Sequence, residues 1–207
     1  MSGLTLYVDS AFTSPYAMSV YVTLLEKKLE FELKTVNLEN GEYLQPTYRD
    51  LALSGRVPTL VHGGLVLNES SAIIEYLEEA FPAPQHAAVL PVDLQQRARA
   101  RQVQAWLRSD LLALRAERST NVIFFAPESA PLSQAGQAAA DRLIRIAERL
   151  IDGAHLYGQW SIADTDLALM LNRLVINGDP VPQRVADYAN RQWQRASVQS
   201  WVNQKRT

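Results

Sequence analysis

The stretch that most limits how this chain can fold runs from Gly55 to Leu77: Gly-Arg-Val-Pro-Thr-Leu-Val-His-Gly-Gly-Leu-Val-Leu-Asn-Glu-Ser-Ser-Ala-Ile-Ile-Glu-Tyr-Leu. Two short strand-forming runs, Thr59-Leu60-Val61 and Leu65-Val66-Leu67, flank Gly63-Gly64, which signals a hairpin. Ala72, Ile73, Tyr76 and Leu77 then repeat at helical spacing and predict a helix from Ser70 to Glu79. Pro58 stands at the mouth of the first strand and has two readings. It is an edge marker, as prolines in sheets commonly are. Or the Val57–Pro58 bond is cis and turns the N–H and C=O of Val57 outward, where an extended peptide can add antiparallel.

The residues before this stretch complete an α/β pattern. Leu4 to Val8 reads as a strand. Ser14-Pro15 opens a helix reaching about Lys28, with serine suited to the cap and proline to the first helical position. Phe31 to Leu38 reads as a second strand, and Gln45 to Leu53 as a weak helix or loop. The order is βαβ, a loose helix, then ββα. Phe81-Pro82-Ala83-Pro84 breaks the pattern. Everything beyond is helical in its periodicity: Val103, Trp106, Leu107, Leu111 and Leu114 fall at i, i+3, i+4, i+8 and i+11, and Leu143, Ile146, Ala147, Leu150 and Ile151 repeat likewise. The run from Ala163 to Ile176 is apolar nearly all round, as a central bundle helix must be. Two shorter helices follow, around Val185-Tyr188-Ala189 and Val198-Trp201-Val202. The expected division is therefore an α/β domain over 1–80, a linker over 81–92 and an all-helical domain over 93–207.

Composition removes several classes of chemistry. The chain holds 207 residues, enough for one large domain or two small ones. Its net charge of −2 gives no basis for a nucleic-acid or anionic-membrane partner. It has no cysteine, so disulfides, thiol nucleophiles and cysteine–zinc sites are excluded. Its three histidines, His62, His86 and His155, lack ligand spacing, so no metal is expected. No stretch reads as a signal peptide or approaches the ~18 apolar residues of a membrane span. A cytoplasmic location is the expectation.

Three segments carry candidate chemistry. Glu69-Ser70 opens a helix. One reading is a cap with an acidic first turn, favoured by the helix dipole. The other uses the free N–H groups and the Ser70 hydroxyl to bind a carboxylate, with Glu69 holding an ammonium beside it. Asp9 to Tyr16 lies between the first strand and the first helix, where α/β proteins place their sites. Its Ser14 is most simply an N-cap. Ser161-Ile162-Ala163-Asp164 reads as a capping box with aspartate in the usual glutamate place, a folding device for a helix start that water cannot reach. The segment from Arg97 to Arg118 adds six arginines against Asp110 and Glu117. This is either a solvated face or a wall that attracts anions.

Taken together, these motifs resemble the glutathione S-transferases across essentially the whole chain. Gly55-Arg56-Val57-Pro58 followed by Glu69-Ser70 is similar to that family's glutathione-site pattern, and Ser161 to Asp164 is similar to its C-terminal capping motif. Arg97–Leu112, Trp160–Val175 and Gln192–Ser197 resemble a bacterial serine-type, YfcF-like subgroup. The resemblance implies a thioredoxin-like domain (βαβαββα) followed by an all-helical domain. It implies a glutathione transferase, with reduction of an organic hydroperoxide as a further activity. Rival readings are a non-catalytic binding protein of the same fold and a glutathione-dependent disulfide oxidoreductase. On the resemblance, Val57 pairs with the cysteinyl backbone before a cis Pro58, and Glu69 and Ser70 hold the γ-glutamyl group. Ser14 contacts the thiol, in the slot that Cys-Pro fills in redox relatives, with Ser10 and Thr13 as substitutes. Gln45 and Arg56 are candidates for the glycyl end. Glutathione is then a co-substrate, with no other cofactor. The second substrate, a hydrophobic electrophile or a peroxide, is expected between the domains near Phe12, Arg108, Arg115 and Val122–Phe125. A homodimer is expected through the helix from Leu94 to Leu114. Two departures stand out. Ala52-Leu53 replace the Asn-Pro usual in the family, and the absent cysteine makes a mixed disulfide with the enzyme impossible.

Overall fold

Leu4, Leu6 and Val8 alternate with Thr5 and Tyr7, the period of a strand with one face in a core. In the computed structural model, which describes residues 3–206, all three are buried in β1 (Leu4–Asp9). The chain forms two units: the residues up to Val89 together with those from Ser200 onward, and Leu90–Gln199. The residues after Gln199, assigned by sequence to the helical domain, thus pack with the first unit.

In the first unit, α1 (Pro15–Glu26) crosses to β2 (Phe31–Val36). A 3-10 turn (Glu42–Leu44) and the short α2 (Pro46–Arg49) lead to the hairpin of β3 (Thr59–His62) and β4 (Leu65–Asn68), then to α3 (Ser70–Ala80). The sheet order is β2-β1-β3-β4, with β1 parallel to β2 and antiparallel to β3, and β4 antiparallel to β3. That is the expected thioredoxin-like arrangement. Helices α1 and α3 pack on each other, burying Val20, Leu24, Ile73 and Leu77.

A buried ion pair fixes the far end of this layer. Lys27 Nζ lies 2.7 Å from Glu78 Oε2 and donates to the carbonyls of Phe81 (2.9 Å) and Ala87 (3.0 Å). All three ammonium protons therefore have acceptors, the condition on which a charge tolerates burial. Glu78 also accepts the Val89 N–H (3.2 Å). The proline-rich segment after α3 is thus tied down by one lysine at the end of α1.

The second unit is helical: α4 (Leu94–Ser109), α5 (Leu112–Glu117), α6 (Asn121–Phe124), α7 (Gln134–Leu150), α8 (Ile162–Val175) and α9 (Gln183–Trp193). A last helix, α10 (Ala196–Val202), runs into the residues that belong to the first unit. The periodicity from Leu94 to Leu114 reads as one helix, but the chain breaks at Leu111, whose φ is +61°. A left-handed leucine costs about 1–2 kcal/mol. Here Leu111 is 1% exposed and its N–H donates to Asp110 Oδ1 (2.7 Å), which offsets that cost. Asp110 is held in turn by Trp106 Nε1 (3.1 Å) and Arg142 (2.9 Å).

Helix α8 is the buried axis expected from sequence, with twelve of its fourteen residues buried. The capping box forms, and Asp164 does more than close it. Its Oδ2 accepts the Ser161 N–H (2.8 Å) and Oγ–H (3.1 Å). Its Oδ1 accepts the Leu156 N–H and the Tyr188 hydroxyl, both at 2.8 Å. Burial, with Asp164 adding to it, raises the Tyr188 phenol well above its ordinary range, so it remains a donor.

Elsewhere, Arg118 forms a bidentate pair with Asp179 (2.7 and 2.9 Å) and donates to the Ala130 carbonyl (2.9 Å), fastening the segment between α6 and α7. Among the described residues, no helix is long and apolar enough to cross a membrane, and no group of acids and histidines is arranged to hold a metal.

Candidate functional site

The sheet pairing determines which loops meet. Asp9 at the end of β1 pairs with Val36 at the end of β2, and Tyr7 pairs with Thr59 at the start of β3. Thr59 pairs with Asn68 at the end of β4. The loop before α1, the Val57-Pro58 entrance of β3 and the Glu69-Ser70 start of α3 therefore share one edge of the sheet. The chain leaving β2 starts from the same edge, and nine residues on Gln45 is the exposed N-cap of α2.

The first of these loops is shaped by Asp9, which is 3% exposed. Its carboxylate accepts the Thr13 N–H (2.6 Å), the Thr13 hydroxyl (2.9 Å) and the Ser14 N–H (3.1 Å). Short-range capture of backbone donors by an aspartate is ordinary turn chemistry. Between them Phe12 takes φ +49° and sets its ring edge-on against Trp201, centroids 5.2 Å apart. Ser14 caps α1: its Oγ accepts the Ala17 N–H (3.2 Å), and Pro15 takes the first turn. The three candidate hydroxyls are now distinguishable. Thr13 gives its proton to Asp9. Ser14 accepts a bond but, among the described residues, gives its proton to none. Ser10 is also uncommitted, on backbone that extends the β1–β2 pairing through a bond to the Val36 carbonyl (3.0 Å).

The second loop holds Val57 and Pro58, and their peptide bond is cis. Its frame is a buried polar cluster. The Arg56 carbonyl accepts the Tyr48 hydroxyl (2.8 Å) and the Thr59 hydroxyl (3.1 Å). Asn68 donates to Thr59 Oγ1 (2.6 Å) and accepts the Leu53 N–H (2.8 Å). Burial pushes the Tyr48 hydroxyl up, keeping it a donor. Among the described residues Val57 makes no backbone hydrogen bond of its own, while the Arg56 side chain is exposed. Ala52 is buried against Tyr48 and Val36.

At the third position Glu69 adopts φ +66°, a conformation uncommon for any residue but glycine and concentrated at functional sites. Its side chain is exposed, and Ser70 beside it is buried at the first turn of α3.

The chain's match to known proteins is consistent with this arrangement. Residues 13–80 match the glutathione S-transferase N-terminal domain, and residues 93–205 match the C-terminal domain. The chain belongs to the glutathione S-transferase family.

A Burkholderia glutathione transferase homologue, solved with bound glutathione, is 45% identical with a TM-score of 0.80, covering 98% of this chain and 97% of that one. A theta-class glutathione S-transferase from Xanthomonas axonopodis, at 22% identity and TM-score 0.79 over the full length of both chains, shares the fold. Among curated relatives, glutathione S-transferase T3 of Arabidopsis thaliana is 27% identical over 98% of this chain and 34% of its own length. Maleylacetoacetate isomerase of Pseudomonas aeruginosa is 41% identical over 52% of this chain and 50% of its own. The chain spans about a third to a half of the length of the curated relatives it matches.

The positions suggested for a second substrate do not share one environment. Phe12 is buried against Trp201 and presents little surface. In the helical unit Arg108 is bound to Asp166 (3.2 Å) and to the Gln104 carbonyl (3.0 Å), Val122 is buried, and Phe125 is 59% exposed. Of the six arginines from Arg97 to Arg118, Arg108 and Arg118 are neutralised by Asp166 and Asp179, and Arg97 donates to the Pro91 carbonyl. The segment therefore gives less of a positive wall than its composition implies. Asp9, Tyr48, Asn68 and Trp201 shape the candidate site; the sequence marks Asp9 only as the start of the loop before α1 and Trp201 only as part of a helical period, and gives Tyr48 and Asn68 no role. An aspartate four residues before a Thr-Ser-Pro helix start was the available signal for the first of them.

Proposed function

We propose that this protein binds glutathione along the shared sheet edge and activates its thiol for attack on an electrophile. The observation that carries the reading is the meeting, at one edge, of Val57 with unpaired backbone groups, the strained Glu69 beside Ser70, and a helix-capping Ser14 whose hydroxyl proton is free. Full-length similarity to a homologue solved with glutathione supports it. In this reading the Val57 backbone pairs with the cysteinyl residue, Glu69 holds the γ-glutamyl ammonium, and Ser70 with the N-terminus of α3 holds its carboxylate. Gln45 and Arg56 reach the glycyl end.

The size of the effect required is modest. A thiol with pKa about 8.5 is only a few per cent ionised at neutral pH. A hydrogen bond to a charged group contributes about 1.5–3 kcal/mol, and one pKa unit corresponds to about 1.36 kcal/mol. Donation from Ser14, aided by the N-terminus of α1, thus lowers the thiol by about one to two units and brings it near half ionisation. No general base is required, and the reacting sulfur is that of glutathione. The electrophile class, including organic hydroperoxides, is set by the second-substrate pocket. A homodimer acting in the cytoplasm completes the proposal.

Calorimetry with glutathione tests the binding step. Glu69→Ala should weaken it by about 1.5–3 kcal/mol; unchanged affinity in the folded variant rejects the assignment. Turnover with an aryl halide, an organic hydroperoxide or a mixed disulfide then separates conjugation, peroxidase and disulfide chemistry. Binding without turnover of any of these leaves a glutathione-binding protein.

A further inference from the structure

Ser14 can serve a thiol only if the loop keeps its hydroxyl at the sheet edge, and the loop's own sequence, Ser-Ala-Phe-Thr-Ser, contains no glycine or proline to fix its path. Three observations bear on what does fix it. The buried Asp9 accepts three donors from the two residues Thr13 and Ser14. One of them is the Thr13 hydroxyl, which removes the nearest competing proton from the site. Phe12 is held in its left-handed conformation between these bonds and the buried Trp201.

We propose that Asp9 is the positioning residue of this site: its carboxylate clamps Thr13 and Ser14 so that Ser14 presents its proton to the thiol of bound glutathione. The proposal rests on the thiol activation assigned to Ser14 above.

The opposite effect of Asp9's own charge makes the proposal testable by sign. A carboxylate near a thiolate disfavours the thiolate. If Asp9 acted only through its charge, removing it would lower the thiol pKa. If it acts by holding Ser14, removing it must raise the thiol pKa. The charged neighbour of Asp9 is Arg206, whose guanidinium packs over the end of α10 through the Val202 (2.6 Å) and Gln204 (3.0 Å) carbonyls. Burial lowers the Arg206 pKa and Asp9 works in the opposite direction, so the two charges sense one another.

The experiment titrates the thiolate absorbance of bound glutathione in the full-length protein and in four variants: Ser14→Ala, Asp9→Ala, Asp9→Asn and Asp9→Ala/Ser14→Ala. Circular dichroism confirms the fold of each. Ser14→Ala should raise the thiol pKa by about one to two units. Asp9→Ala should raise it comparably, lower kcat/KM at neutral pH by about tenfold or more, and leave the KM for glutathione within about twofold. The double variant should match Ser14→Ala, because Asp9 acts through Ser14. Asp9→Asn keeps one acceptor oxygen and should fall between wild type and Asp9→Ala. It also carries the test by itself if the alanine variant does not fold. A lowered or unshifted thiol pKa in the folded Asp9 variants, with Ser14→Ala still raised, overturns the proposal, as does an additive double variant. An unshifted Ser14→Ala removes the underlying activation reading instead, so the two failures are told apart.

Discussion

Replacing Asp164 by alanine removes more than a helix cap. An N-cap interaction of this kind is usually worth about 0.5–2 kcal/mol. Here the carboxylate is fully buried and accepts four hydrogen bonds, two from Ser161, one from the Leu156 N–H and one from the Tyr188 hydroxyl. Alanine leaves those donors in a site closed to solvent, and a buried unpaired donor costs about 1–3 kcal/mol. The costs do not simply add, because Ser161 and Tyr188 can turn toward other acceptors and water can enter the space of the lost carboxyl. A loss of about 3–5 kcal/mol is expected, similar to breaking one side of a buried charged pair. For a chain of this size that corresponds to a fall in Tm of about 6–20 °C. Thermal melting followed by circular dichroism reads it, and urea unfolding gives an independent value. Glutathione affinity, measured well below the melting point, should stay near that of the wild type. A Tm within 2 °C of wild type would refute the reasoning about the four bonds. A preserved Tm with lost glutathione binding would instead place Asp164 in the binding machinery.

Lys27→Met leaves Glu78 buried without its partner and should destabilise the protein by about 3–5 kcal/mol, whereas Lys27→Met/Glu78→Leu should recover much of that loss in the same denaturation assay. The Arg118 guanidinium holds Asp179 below the ordinary carboxylate range, so its contribution is complete above that range and is lost as the pH falls through the lowered value. Asp179→Asn should therefore flatten the decline in stability below about pH 4, and an unchanged acid limb would contradict the pairing as a stabilising one.

The sequence exposed what depends on near neighbours. The hairpin at Gly63-Gly64, the Ser14-Pro15 helix start and the Ser161–Asp164 box are each written within a few residues, and each formed as read. What stayed hidden depends on distant partners. Lys27 and Glu78 are fifty-one positions apart and look like ordinary surface charges until α1 and α3 are packed. Tyr48, Thr59 and Asn68 are unremarkable alone and become a frame only when β3 and β4 are paired. The break at Leu111 was masked by its own residue type: the apolar period continues across it, and a leucine gives no warning of a left-handed turn. Asp9 lies between these cases. Its partners are local, but an aspartate at a strand end reads equally as solvent-facing.

The return of the chain to the first unit has a consequence for synthesis. Trp201 is fully buried among Phe12 and Tyr21, and Tyr21 also pairs with Ser200 (2.9 Å) and Gln204 (3.2 Å). A ribosome delivers these contacts only after the helical unit has been made. A nascent chain halted at position 199 contains every strand of the sheet, all of α1 and α3, and the complete helical unit. It still lacks the indole on which Phe12 rests. The unit made first is therefore the one finished last, and Phe12 gains its aromatic partner only after Trp201 has been made.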